Sequence, residues 1–122
     1  MQENIKEKDD STSIYEVSYL LLPSIALEPV PHEVDSIKEA ITSRGGVIVS
    51  HEDPILIDLS YPMTKVIGTT RHKCDSGYFG WVKFEISKKE DGGIEAVKKA
   101  LDTKDEILRY LIVKTVREKL VP

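Results

Sequence analysis

Three groups of residues in this chain could do chemistry. Cys74 lies two positions after His72 in Arg71-His72-Lys73-Cys74-Asp75, and a thiol beside cations can be held as the nucleophilic thiolate. Nucleophilic catalysis also needs an oriented base and a third group to orient it. Two residues two apart, in the loop expected from Val66 to Ser76, do not supply that, so the stretch reads as a solvated basic loop. His51 has no neighbour at ligand spacing, which argues against a metal centre. The third group is a pair of motifs, Leu59-Ser60-Tyr61-Pro62-Met63-Thr64-Lys65 and Gly77-Tyr78-Phe79-Gly80-Trp81. They combine aromatics, proline and a cation, and neither is a catalytic signature.

Both motifs are flanked by segments that read as strands. Val47-Ile48-Val49 and Ile55-Leu56-Ile57 precede the first, and Trp81-Val82-Lys83-Phe84-Glu85-Ile86 continues the second. Such β-branched and aromatic runs suit a pleated sheet. Pro62 cannot donate to a ladder and belongs at a strand end, a bulge or an edge. The motifs are expected at facing ends of neighbouring strands, with a bend or bulge near His51-Glu52-Asp53-Pro54.

Other elements complete the unit. Ile14 to Leu22 alternates, with Val17, Tyr19 and Leu21 on one face, and Pro23 stops it. Val34, Ile37 and Ile41 recur at helical spacing, with Pro31 in the first turn, His32 exposed there and Gly45-Gly46 at the C-terminal end. Ile94, Val97 and Leu101 mark a second, shorter helix. Ile107 to Thr115 is a last strand, with Arg109, Leu111 and Val113 on one face and Leu108, Tyr110 and Ile112 on the other. Two apolar faces suit an inner strand or one covered by a partner.

Strand, helix, strand, strand, helix, strand is the split βαβ order. It predicts an α+β, ferredoxin-like βαββαβ sandwich, a four-stranded antiparallel sheet with two helices on one face. Right-handed crossovers make the first and third strands central. The predicted core is Val17, Tyr19, Leu21, Ile37, Ile41, Val82, Phe84, Ile94, Val97, Leu101 and Ile112. The domain is expected over 14–116, with a polar flexible tail at 1–13 and a short tail at 117–122.

Composition narrows the function classes. At 122 residues, the chain suits one domain. Seventeen Lys and Arg oppose twenty-one Asp and Glu, a net charge of -4, so nucleic acid would have to be held by a local basic patch. A single cysteine excludes an intramolecular disulfide and suits a reducing compartment. No apolar run reaches the roughly 18 residues of a membrane span, and no secretory signal pattern opens the chain. The expected address is the cytoplasm.

Tyr15-Glu16-Val17, the two central motifs and Asp105 through Lys114, in that order, resemble the bacterial small-subunit ribosomal protein six family over about residues 14 to 115. The resemblance implies a non-enzymatic component of the small ribosomal subunit that needs no cofactor and acts on no small-molecule substrate. It also implies binding to small-subunit rRNA alongside small-subunit ribosomal protein eighteen. Lys65, Arg109 and Lys114 match basic positions of that family, while Arg71, Lys73 and Arg117 are candidates by charge. Family members often carry arginine where Ser13, Ile14, Ile57 and Asp58 stand here, and a basic residue at Leu108. Each difference removes a possible phosphate contact.

Strand parity places Leu20, Phe79, Trp81, Leu111 and Val113 on the sheet face away from the helices, as a partner site. Two rivals share the fold. Gly80-Trp81-Val82-Lys83-Phe84 approaches the end of the RNA-recognition-motif consensus, but Phe79 is one residue too many and Glu16 stands where an aliphatic belongs. An acylphosphatase-like hydrolase would need a phosphate-cradling loop after the first strand, and Pro23-Ser24-Ile25-Ala26 offers none.

Overall fold

A computed structural model describes residues 12–24, 29–87 and 93–115. Its elements are β1 (Thr12–Leu21), α1 (Val30–Thr42), β2 (Val47–Ile67), β3 (Thr70–Ser87), α2 (Gly93–Asp102) and β4 (Ile107–Thr115). The sheet order is β2-β3-β1-β4, and every neighbouring pair is antiparallel. The expected ferredoxin-like sandwich is therefore the fold, with β1 and β3 central. β1 also takes in Thr12 and the buried Ser13, two positions earlier than the sequence pattern indicated.

The core follows the two periodicities. β1 contributes Val17, Tyr19 and Leu21, and β3 contributes Val82, Phe84 and Ile86. From the helices come Val30, Val34, Ile37, Ala40 and Ile41 of α1, and Val97 and Leu101 of α2. The predicted Ile94 and Ile112 pack against this cluster while half-buried. Tyr15 stacks on Phe84 with ring centroids 5.9 Å apart. Gly45, at φ 93, takes the left-handed conformation that ends α1. Beside it, the Arg44 guanidinium donates to the Ala40 carbonyl at 3.1 Å.

The stretch expected to be a loop is not one. β2 runs to Ile67 and β3 starts at Thr70, so Gly68-Thr69 is a two-residue hairpin turn with Gly68 at φ 63. A glycine in the first central position is what such a tight turn requires. Polar residues here cover the surface of a long ribbon rather than signalling irregular chain. The two central motifs consequently do not face each other: Gly77 to Trp81 lies opposite the Glu52–Ile57 stretch, while Met63 and Lys65 face Cys74 and His72. The ladder shifts register between Glu52 and Ile55, as expected, and again between Asp58 and Met63. Pro62 falls inside the second shift and on an edge strand, which satisfies both conditions a strand proline sets.

Tyr19 pairs directly with Gly80. A Cβ on Gly80 would lie 2.5 Å from the Tyr19 hydroxyl and 3.0 Å from the Glu52 carbonyl oxygen. The glycine is a matter of space, letting the tyrosine ring lie over the neighbouring strand. Burial, with Asp53 adding, pushes the Tyr19 hydroxyl up to about 12. Phe84→Ala is expected to cost about 3–5 kcal/mol in chemical denaturation, because the ring is fully buried. Gly80→Ala should cost about 1–3 kcal/mol by overpacking. An unchanged unfolding midpoint for either would contradict the placement.

Candidate partner face and nucleic-acid interface

Cross-strand pairing lays out the uncovered sheet face in rows. Reading from β2 to β4, the first row is Ile55, Phe79, Leu20 and Arg109. The second is Glu52, Trp81, Ser18 and Leu111, and the third Ser50, Lys83, Glu16 and Val113. All five residues predicted as the partner site thus share this face. Ile55, which the sequence reading did not assign to it, joins them beside Phe79 and is 65% exposed. The register shifts of β2 obscured its parity in the sequence. Leu111 and Val113 are exposed, while Leu20 is half-buried and packs on a second small cluster.

Trp81 is held in place. Its indole Nε1–H donates to Glu52 Oε1 at 3.0 Å, from the adjacent strand. A ring fixed by a neighbour loses little conformational entropy when a partner covers it. Around the apolar corner lie the carboxylates of Glu52, Glu16 and Glu85, with Lys83 paired to Glu16 in the third row. The face therefore offers apolar surface rimmed chiefly by negative charge.

The cations are distributed unevenly. Lys65 pairs with His72 and shares a face of the hairpin ribbon with Met63 and Cys74. Arg71 and Lys73, opposite Val66 and Thr64, take the other face. Arg109 lies beside Leu20 on the outer face, next to the apolar corner. Lys114 is separated from it: it pairs with Tyr15 on the helix side of the sheet, about 17 Å further along β4. Arg117 lies outside the described residues. Lys65, Arg71 and Lys73 thus lie on the hairpin ribbon, while Arg109 and Lys114 lie on β4, on opposite faces of the sheet.

Cys74 is buried with Leu22 and Leu108, against Leu59, Met63 and Ile67. The ribbon leans over the ends of β1 and β4 through this cluster. Burial, with Asp75 adding, pushes the thiol up, and its S–H points to the His72 carbonyl at 3.8 Å. This is a packing cysteine, the opposite of an activated nucleophile and not part of a solvated loop. Among the described residues no group of three or more His, Cys, Asp or Glu could hold a metal. A cleft of about 600 Å³ runs between the helices. Its polar groups are turned on one another, with Lys104 Nζ donating to Ser36 Oγ at 2.6 Å and Arg44 to Ser43 Oγ at 2.7 Å. No helix in the described residues is long and apolar enough to cross a membrane.

A ferredoxin-like sandwich with an apolar, uncovered sheet face and a basic ribbon is a binding module in its build. The comparisons with known proteins say which kind. The model of the family described as ribosomal protein S6 matches residues 14–114. The chain belongs to the ribosomal protein S6 family, a family of structural components of the small ribosomal subunit. It is similar to the small ribosomal subunit protein bS6 of Acholeplasma laidlawii, 28% identical over 82% of this chain and 94% of that one. The Helicobacter pylori protein of the same name is 27% identical over 88% of this chain and 68% of its own length. That of Sulfurimonas denitrificans is 24% identical, and the match spans 65% of its length. The crystal structure of 30S ribosomal protein S6 from Thermotoga maritima has the same fold, with a TM-score of 0.68 at 17% identity over 85% of this chain and 88% of that one.

The burial of Cys74 has a direct consequence. A thiol reagent should modify the native protein at least about tenfold more slowly than the urea-unfolded chain. Equal rates would show that the ribbon does not pack as described.

Proposed function

We propose that this chain is a non-catalytic assembly component of the small ribosomal subunit, acting on the cytoplasmic ribosome. In this reading it binds small-subunit rRNA together with small-subunit ribosomal protein eighteen. The observation that carries it is the apolar corner of the uncovered sheet face, Ile55, Phe79, Trp81, Leu20, Leu111 and Val113. Ile55, Phe79, Leu111 and Val113 are exposed and Trp81 and Leu20 half-buried beside them, and an apolar patch of this kind marks a protein interface. Protein eighteen takes this face. Phosphates meet Lys65, Arg71 and Lys73 of the ribbon and Arg109 of β4, which position the protein without reading bases. Lys114 and Arg117 supply separate phosphate contacts.

Phe79 and Trp81, two apart on a central strand and roughly 7 Å from each other, also have the spacing of a base-stacking platform. The carboxylates of Glu16, Glu52 and Glu85 on the same face weigh against that use, since they repel a phosphate backbone and favour a cationic protein surface.

Trp81→Ala should weaken association with protein eighteen more than it lowers the stability of the free chain. Equal association at matched folded concentration would reject the sheet face as the partner site. With protein eighteen present, Lys65→Ala and Arg109→Ala should each flatten the log–log salt dependence of RNA binding by about one unit. Thermal stability should change little, because isolated surface charges contribute little to folding. Unchanged affinity and salt slope in both variants would remove this patch from the rRNA contact.

A further inference from the structure

The two edges of the sheet are built differently. Along β2 the register shifts three times, between Ile48 and Ser50, Glu52 and Ile55, and Asp58 and Met63. Pro54 and Pro62 lie on the same strand, with Glu52, Asp53, Asp58 and Lys65. Bulges, prolines and charges are the devices that keep an edge strand from pairing with another chain.

β4 carries few of them. After one irregularity opposite Leu20 and Leu21, Arg109 to Thr115 runs in unbroken register with β1. That run holds neither proline nor glycine, and Tyr110-Leu111-Ile112-Val113 is uncharged. Among the described residues only β1 is hydrogen-bonded to it as a strand. In an antiparallel ladder alternate residues turn their N–H and C=O groups toward one neighbour. The others in β4 therefore point out of the open edge. Immediately above that edge, Leu111 is 62% and Val113 49% exposed, continuous with the apolar corner.

We propose that β4 is a strand-addition edge. An extended segment of the protein partner pairs main chain to main chain with Tyr110–Val113 and becomes a fifth strand of the sheet. This rests on the reading above that a protein partner covers the sheet face. Outward main-chain donors and acceptors spaced along a strand are matched by another extended polypeptide, and nucleic acid offers no such ladder. The side chains narrow the segment further. Its alternate residues lie beside Leu111 and Val113 and are aliphatic or aromatic, extending the apolar corner by one column. Arg109 and Lys114 bracket the window, so acidic or uncharged residues fit at its ends and lysine or arginine does not.

Hydrogen–deuterium exchange at single-residue resolution tests this on the full-length chain, alone and saturated with protein eighteen from the same organism. Trp81→Ala is run in parallel. In the free chain two of the four amides in the Tyr110–Val113 window should exchange fast and the two bonded to β1 slowly. Partner binding should slow the fast pair by at least about tenfold. Protection already present in the free chain overturns the proposal. Concentration-independent protection would mean that the chain's own terminal segments fill the edge, and protection rising with protein concentration that a second copy does. If protein eighteen binds, and Trp81→Ala weakens it, but the fast pair is unaffected, the strand addition fails while the sheet-face reading stands. If no complex forms with the unaltered chain, both fail.

Discussion

The pairing of β1 with β3 is the constraint on which the rest depends. Side chains in a strand alternate, so each residue committed to the core leaves its neighbours on the other face. Val17, Tyr19 and Leu21 must meet Val82, Phe84 and Ile86 under the helices. Leu20, Phe79 and Trp81 are thereby turned outward together. A one-residue slip would exchange the two sets and put Glu16 and Lys83 in the core. Tyr19 over Gly80 helps exclude that slip, because no neighbouring β3 position lacks a Cβ to make room for the ring.

With both helices on one side, no described element covers the opposite face. Its apolar residues are not spread evenly but gather toward the ribbon end and the β4 edge. Half of the candidate cations, Lys65, Arg71 and Lys73, lie on the ribbon, which is anchored through Leu22, Cys74 and Leu108. A chain of net charge -4 can thus present a local positive region beside an apolar one. The hydrogen bond between Trp81 and Glu52 fixes the half-buried indole on this face.

Identity to the solved Thermotoga maritima protein is only 17%, yet the fold is shared. That is physically reasonable, since the sandwich requires apolar residues at periods of two and 3.6 and not particular ones. What does require particular residues is local: a glycine under Tyr19, a glycine at the ribbon turn and a proline confined to a bulge. Two of these, Gly80 and Pro62, lie within the motifs that first set the chain apart.

Periodicity and punctuation determined much of this protein without any structure. The helix carrying Val34, Ile37 and Ile41 and the last strand from Ile107 to Thr115 follow from local pattern, because local spacing decides which face is apolar. The order of elements then left one sensible topology, and parity placed Phe79, Trp81 and Leu111 on one face. Residues 66–76 were illegible, since polar side chains on a two-stranded ribbon look like loop when the partner strand is unknown. The buried state of Cys74 was hidden for the same reason: it depends on Leu22 and Leu108, distant in sequence. Ile55 was missed because bulges in β2 break the alternation that parity relies on. Only tertiary structure could show that one sheet edge is guarded and the other open. That is a relation between strands, and a sequence read along one strand does not contain it.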